Sequence, residues 1–491
     1  MAIDTSLRAR ALGVETRFEP KAPNGALQLP QVLGVFAQGN TASTYPSTKF
    51  QATRHQDVAN VLGYGSPAHL IARELFPDNG DGIGAIPVWF FPMADAGGAV
   101  AAAGTVTPSG TVNAGSSWKV GINGIYSQEF TVAASATVAA RVTALVNAVN
   151  AVLHMPMTAV DGATVANFTS KWKGASANDL KIEVVQVSGP TTSGNVWGIV
   201  QPTAGATNPA IQPFLDQVGG QWITIGLNAL NISDTTTLDT IQTWGEGRWG
   251  EQVRKPIVMI VGNNISAVGS ATAVSDARKT DRINGTLPAP GSKNLPFVIA
   301  ARELARIMKR ANDDPAFDYG GLEATGLIPG TDGEQWALPA RDQALKAGSS
   351  TIEVIDGVIT ISDVVTFYHP TGETDPAYRY LVDIVRLQNV IFNYSTEFAK
   401  PEWNGAPFIN DDDVSTNKNA RKPRDVVTRS NAILDKLAGA AILSDVKTSK
   451  KLTTCKRSST NPKRWDLDVP VYLSGNSNVR STVLRWSFSY G

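Results

Sequence analysis

The feature that most restricts the fold is a change of composition inside the chain. Residues 94–203 are rich in Ala, Gly, Thr, Ser and Val and poor in charge, while the segments on either side alternate apolar strand-like runs with amphipathic ones. Within the low-charge stretch, residues 117–121 and 125–132 flank Asn123-Gly124, the strongest short hairpin signal. Val138, Val142, Leu145, Val146, Val149 and Leu153 then fall on one helical face. A further strand is expected over 181–187. Such a segment can close on itself, so it reads as a β-rich module inserted into another domain.

The flanking segments predict what that domain is. Residues 31–37, 86–91 and 257–261 are short continuous apolar runs, the pattern of strands buried on both faces. Residues 58–76 are mostly helical and restart at Ser66-Pro67, an N-cap followed by proline at the first helical position. Helices are also expected over 237–249 and 297–312, the latter with Arg302, Arg306, Lys309 and Arg310 on its wet side. Alternating strands and helices imply an α/β layer. A hairpin over 351–368 turns at Asp356-Gly357, and Asp375-Pro376 caps a helix that directs Leu381, Ile384, Val385 and Phe392 to its core. The fold class is therefore α/β (α+β), multidomain. Its expected parts are an arm at 1–20, a core at 21–95 and 204–340 split by the module at 96–203, a C-terminal domain at 341–474 and a terminal strand at 475–491.

Both ends stand apart. Ile3, Leu7, Leu12, Val14 and Phe18 are scattered through an irregular arm that ends at Pro20 and Pro23. Near the other end Trp465, Leu467, Val469, Val471 and Leu473 alternate with other residues, and Leu484, Trp486, Phe488 and Tyr490 do so up to Gly491. Period two with one apolar face is a strand. Such a strand either forms the edge of its own domain or adds to a neighbouring subunit's sheet, where main-chain hydrogen bonds supply affinity.

Candidate chemistry is sparse. His55, His69, His154 and His369 share no metal-ligand spacing, and no HExxH or Walker A motif occurs. Gly63-Tyr64-Gly65-Ser66-Pro67 fails as a nucleophile elbow at Pro67. Gly80 to Ala85 matches a loose dinucleotide fingerprint but precedes a strand instead of following one, so it reads as a turn. Asp411-Asp412-Asp413 reads as a solvated acidic turn before a cation site. No cofactor and no metal are expected. The single cysteine, Cys455, excludes a disulfide framework and suits a reducing compartment. Residues 1–13 carry Asp4, Arg8 and Arg10 without an apolar run, so no signal peptide is expected; Arg141, Asn147 and Asn150 argue against a membrane span in 132–153.

Charge is balanced overall, with 43 Lys/Arg and 43 Asp/Glu, which disfavours bulk nucleic-acid binding. It is unevenly placed, however. Residues 415–464 hold thirteen Lys/Arg and three acids, an excess of ten positive charges. A nucleic-acid platform would interleave aromatic residues there, and apart from Trp465 they are missing. The stretch is either a solvated face or a contact for an acidic protein partner, with Arg421, Lys422 and Arg424 as its candidate residues. An α/β enzyme or carbohydrate-binding module, with the insertion as ligand surface, is the alternative class.

Several segments resemble the contractile tail sheath proteins of Mu-like bacteriophages. Gly63 to Leu70 is similar to that family's Gly-x-Gly-Ser start of a helix. Ile86-Pro87-Val88-Trp89-Phe90-Phe91-Pro92 and the Ala/Gly run through Gly104 to Thr107 resemble its passage into an inserted domain. Lys173 to Asp179, Arg248-Trp249-Gly250, Asp314-Pro315-Ala316 and Gly326-Leu327-Ile328-Pro329 follow in the same order. The C-terminal features are Lys346-Ala347-Gly348, Val358 to Ile361, Val365 to Tyr368 and Asp375 to Arg379. The sequence departs from the pattern at Asp281-Arg282 and Arg341-Asp342. Each motif is short, and the resemblance rests on their shared order over about residues 30–400.

The resemblance implies a structural, non-enzymatic subunit without cofactor. Sheath subunits stack as hexameric rings around a tail tube and contract to drive it through a host envelope, using free energy stored at assembly. It implies as partners further copies of the chain, the tube protein, and baseplate and tail terminator proteins, with no nucleic acid and no membrane insertion. It places the protein in the virion tail after assembly in the host cytoplasm. Inter-subunit strand exchange would use Ile3, Leu7, Val14 and Phe18 at one end and Leu484, Trp486, Phe488 and Tyr490 at the other, with hinges near 20–25 and 475–478. Arg421, Lys422 and Arg424 would face the tube, and the inserted domain would face outward.

Overall fold

The apolar runs on either side of the low-charge segment become neighbours in one sheet. The structure, a computed structural model, describes residues 25–372, 377–461, 463–478 and 482–485. They divide into a larger unit, Leu29–Ile391 with the described residues from Gly475 on, and a smaller unit, Phe392–Ser474 with residues 25–28.

The larger unit begins with β1 (Leu33–Gln38), β2 (Phe50–Ala52), α1 (His55–Leu62), α2 (Pro67–Leu75) and β3 (Val88–Met93). Ser66 caps α2 as its sequence predicts: its Oγ accepts from the His69 backbone N–H at 3.2 Å, and Pro67 opens the helix. The chain then leaves the core. It makes β4 (Ala101–Ser109), β5 (Ser116–Ile122), β6 (Ile125–Tyr126), β7 (Phe130–Val132), α3 (Val138–Asn150), β8 (Met157–Asp161), β9 (Ala166–Lys173), β10 (Ile182–Ser188) and β11 (Val196–Thr203). These strands form two four-stranded sheets, one with β7 and β6 on β5 beside β10, the other ordered β11-β4-β9-β8. Asn123 and Gly124 both take positive φ, 48° and 81°, which is what a two-residue hairpin turn between β5 and β6 requires. The module's core is aromatic: Trp197 meets Trp118 and Phe130 edge-on at 5.9 and 5.8 Å. Arg141 of α3, which argued against a membrane span, is buried and donates to the Ser109 and Gly110 carbonyls and to Asn195 Oδ1.

Returning to the core, the chain makes α4 (Gln212–Asp216), β12 (Ile225–Asn228), α5 (Thr235–Trp249), β13 (Val258–Asn263), α6 (Val268–Ala277), β14 (Asn284–Pro288) and α7 (Pro296–Asp313). The core sheet runs β14-β13-β12-β1-β3-β2, parallel except for β2. Leu33, Val35, Val88, Phe90, Ile225 and Ile260 pack on one face with α1, α2 and α7 residues. Phe36, Phe91, Ile223 and Met259 pack on the other with Leu215 of α4 and Ile241 of α5. Phe36 and Phe91 stack with centroids 4.4 Å apart. Trp172 of β9, fully buried, meets Phe297 of α7 edge-on at 6.1 Å and so ties the module to the core.

One expectation on α7 is corrected. Arg302 is not on the wet side: it is buried, and its guanidinium donates to Thr325 O, Thr325 Oγ1 and Asp81 O. Five N–H donors let a cation occupy an interior position when loop carbonyls face it. Arg306, Lys309 and Arg310 do keep partly or fully exposed positions.

Next come α8 (Leu338–Lys346) and the hairpin of β15 (Thr351–Ile355) and β16 (Val358–Asp363), turning at Asp356-Gly357 with φ of 51° and 78°. Helix α9 (Leu381–Phe398) buries Leu381, Ile384 and Val385 as expected, and Phe392 is partly buried. The Asp375-Pro376 cap lies outside the described residues. In the larger unit Asn389 of α9 accepts from the Leu29 N–H at 2.9 Å.

The smaller unit holds the rest of α9, α10 (Pro423–Gly439), α11 (Val446–Leu452), β17 (Thr454–Arg457) and β18 (Trp465–Asp468). Val426, Ile433, Leu434 and Leu437 of α10 are buried, and Phe398 lies against Trp403 and Trp465 at 5.2 and 5.3 Å. The strand expected over residues 465–473 is shorter than its alternation suggests. Ladder pairing with β17 ends at Asp468, and Pro470, which has no N–H, cannot extend it. A single bridge, Leu443 to Leu473, is what remains beyond it.

Candidate assembly surfaces

The basic stretch is built around the N-terminus of α10. Its three candidate cations are placed quite differently. Arg421 is held in a short bridge, with its N–H donating to Pro407 O and its carbonyl accepting from Ile409 N–H, and its guanidinium lies 5.7 Å from the Trp403 ring centroid. Lys422 points its ammonium at the Asp411 and Asp413 carbonyls. Arg424 alone of the three is exposed, and its backbone N–H is capped by Asp411 Oδ1 at 3.0 Å.

The acidic turn therefore does structural work: it satisfies a lysine and the first turn of a helix. Asp425 adds to this, accepting from the Lys422 N–H at 2.9 Å. Further along, Arg429 and Lys400 pair with Glu397, Lys450 pairs with Asp435, and Arg464 with Asp466. Glu397 and Asp466 lie outside residues 415–464, so their pairs with Arg429 and Arg464 reduce the bare excess of positive charge locally. An aromatic pair is also present, since Phe408 lies 6.2 Å from Trp465. Both rings are partly buried, and their pairing was invisible in the linear spacing.

Of the strand-exchange residues, Ile3, Leu7, Val14, Phe18, Trp486, Phe488 and Tyr490 lie outside the described residues. Leu484 is described: it is 85% exposed beside Val483 at 78%, and residues 482–485 form no strand. Among the described residues, 482–485 form no ladder with the rest of the chain. Just upstream, Asn476 is anchored to the larger unit, accepting from Arg386 at 2.6 Å and donating to Ala316 O at 3.2 Å. At the other end, in the smaller unit, Leu27 exchanges two hydrogen bonds with the Asn393 side chain at 2.9 and 2.7 Å.

The sequence motifs set aside as turns are turns. The Gly80 to Ala85 loop precedes β3, and Asp81 receives Arg306 at 2.9 Å and Lys309 at 3.9 Å. It presents carboxylate and carbonyl acceptors to cations, the reverse of a phosphate cradle. Burial pushes the Cys455 thiol up to about 11, which keeps it out of the reactive thiolate form. Beyond the carboxyl ends of β13 and β14 lies a cleft of about 510 Å³, and its acids are engaged. Glu183 pairs with Lys293 at 2.7 Å, and Asp179 Oδ2 accepts from Asn231 at 2.6 Å. Among the described residues no group of three or more His, Cys, Asp or Glu could hold a metal ion, and no helix is long and apolar enough to cross a membrane.

No family model matches the chain. Over 445 residues it is 21% identical to the Mu-like prophage FluMu tail sheath protein of Haemophilus influenzae, a match covering 89% of this chain and 88% of the relative. Over most of its length this chain is similar to a Mu-like tail sheath protein. Among solved structures it is similar to a sheath tail protein of Listeria innocua (13% identity, TM-score 0.47, 93% of this chain and 94% of that one). A second is a sheath tail protein of Desulfitobacterium hafniense (12% identity, TM-score 0.47, 94% of this chain and 100% of that one). At those scores the assignment rests on the sequence relative, whose match runs through core, inserted module and C-terminal region alike. Nothing in the comparisons supports the enzyme or carbohydrate-binding alternative.

Proposed function

We propose that this chain is the structural subunit of a contractile phage tail sheath, without catalytic activity of its own. The observation that carries the reading is the end-to-end relationship to a tail sheath protein over 89% of the chain. The subunits polymerise with copies of themselves as stacked hexameric rings around a tail tube, between baseplate and tail terminator proteins. Assembly takes place in the host cytoplasm, and the sheath becomes part of the virion tail. Contraction then releases free energy stored during assembly and drives the tube through the host envelope.

Two surfaces serve the assembly. The terminal strand with Leu484, Trp486, Phe488 and Tyr490 pairs with a neighbouring subunit, as does the arm with Ile3, Leu7, Val14 and Phe18. The exposure of Leu484 and Val483 supports this, because a period-two apolar segment left in water has surface to bury. Each main-chain hydrogen bond adds about 0.5–1.5 kcal/mol, so several of them hold a subunit firmly. The basic face of α10 meets the tube, with Arg424 as its outward cation and Arg421 and Lys422 behind it.

Light scattering and negative-stain microscopy of the purified chain test the reading, with rings or tubules as the expected product. A monomer at every concentration would count against it. Deleting residues 480–491 is expected to leave a folded chain that no longer polymerises, and tubules of normal length would refute the strand role. Arg424→Glu is expected to weaken sheath–tube assembly at low salt while sheath-only polymerisation continues.

A further inference from the structure

Three of the four histidines meet in one place that the assembly reading does not use. His55 on α1, His69 on α2 and His154 after α3 line a cleft of about 360 Å³ where the inserted module meets the core, together with Tyr64, Arg73 and Gln128. His69 is 1% exposed and His55 is 9% exposed. Each has a buried ring nitrogen without a hydrogen-bond partner: Nε2 of His69 and Nδ1 of His55.

The tautomer of His69 follows from its neighbours. Its Nδ1 accepts from the Gly65 backbone N–H at 3.0 Å, so a neutral ring carries its proton on Nε2. That N–H is a buried donor left over. Burial and the nearby Arg73 charge hold the ring neutral, pushing its pKa down to about 3. His154 is pushed down to about 4 for the same two reasons. Arg73, half-buried on α2, makes no hydrogen bond or ion pair with any described residue. Lys171 stands beside the cleft but is occupied, donating to Leu153 O at 2.8 Å and Tyr64 O at 3.3 Å.

Acids are few here. Asp78 sits at the rim, 70% exposed, with its carboxylate taken by His55 Nε2 at 3.0 Å and by Gln56 at 3.2 Å. Glu74 neighbours Arg73 on α2, but burial raises its pKa and its strongest charge neighbour is Arg302. Unused donors and positive charge thus converge in one cleft. Leaving a buried donor unpaired is costly, and a guanidinium binds a tetrahedral oxyanion through two N–H groups at once.

We infer that the cleft lined by Arg73, His69, His55 and His154 is an oxyanion site, taking a group of phosphate or sulfate size at the seam between inserted module and core. Arg73 supplies the charge and the paired donors, and His69 Nε2–H supplies a third. The bound anion bridges α2 to the loop after α3, so occupancy stiffens the attachment of the module.

Thermal unfolding of the full chain in inorganic phosphate, against chloride at matched ionic strength, tests this. A ligand that binds only the folded form raises the midpoint in proportion to the logarithm of its concentration once saturated. The expected result is a saturable, phosphate-specific rise. Arg73→Gln should weaken phosphate binding by roughly tenfold or more, as loss of a charge-assisted pair predicts. Asp78→Asn, which removes the rim carboxylate, should strengthen binding several-fold. The site is refuted if the wild-type midpoint does not respond to phosphate beyond chloride, or if Arg73→Gln responds equally. Should Arg73→Gln fail to fold in chloride, Asp78→Asn decides alone, and unchanged or weaker binding in it overturns the proposal.

Discussion

In the core sheet β1, β12, β13 and β14 are buried at every residue, whereas β4 and β9 of the inserted module bury every second one. The two regions belong to the same larger unit and solve the same problem differently. A parallel sheet reached through crossover helices is covered on both faces, so its strands are apolar without interruption. An antiparallel sheet made of hairpins and short connections can leave one face to water. Its strands therefore tolerate Thr, Ser, Asn and Gly at alternate positions, and the low charge of residues 94–203 is the compositional trace of that arrangement. The close packing of the first region and the open face of the second predict opposite responses to the same substitution.

The largest contrast comes from glycine to alanine. At Gly262 of β13 an added Cβ would lie 1.7 Å from the Pro296 carbonyl oxygen and 2.2 Å from its carbon. Backbone atoms cannot step aside as side chains do, so Gly262→Ala should exceed the about 1–3 kcal/mol of ordinary overpacking. Urea unfolding, or failure to recover soluble chain, reads the effect. Next in size, Phe168→Ala on the inward face of β9 removes a fully buried ring and should cost about 3–5 kcal/mol. Thr169→Ala, the adjacent outward residue, should stay within about 0.5 kcal/mol of wild type in the same assay.

Between these lies the seam. His69 titrates at its ordinary 6.5 in the unfolded chain and near 3 in the folded one. The unfolded state therefore binds the extra proton first, and stability is present in full above 6.5 and lost as pH falls toward 3. The midpoint should fall on acidification in wild type and fall less in His69→Gln. Smaller than the Gly262 and Phe168 effects is Gly198→Ala on the open edge strand β11, where the new Cβ meets only Thr107 O at 3.6 Å. Here the sign reverses: a gain of about 0.5–1 kcal/mol is expected from the lost chain entropy. Equal effects at Gly262 and Gly198 would break the comparison between the two regions.

How much was legible follows the same division. Runs at residues 31–37 and 257–261, the Ser66-Pro67 cap and both hairpin turns could be read because each is a local signal of burial, capping or positive φ. β12 and β14 could not, since Ile225–Asn228 and Asn284–Pro288 are too short to carry a period and take their places only by pairing with β1 and β13. Arg302 was misread because periodicity marks a face without saying what covers it. The cation cluster at α10 was visible as charge, but Lys422 turns to the acidic turn at 411–413, a contact that a count over 415–464 leaves out. The histidine cleft had no sequence signal: His55, His69 and His154 are spread over a hundred residues and meet only because the module packs back on α1 and α2.

By itself the sequence determined the identity of the local elements, the existence of an inserted antiparallel module, and the order of motifs that links the chain to a tail sheath protein. These are properties of neighbouring residues, set by side-chain periodicity and by the φ that glycine and asparagine accept. Only the tertiary structure decided strand order in the core sheet, which cations are spent inside the chain, and which donors are left unpaired at the seam. Those depend on groups far apart in the chain, and their energies exist only once the intervening water has been excluded.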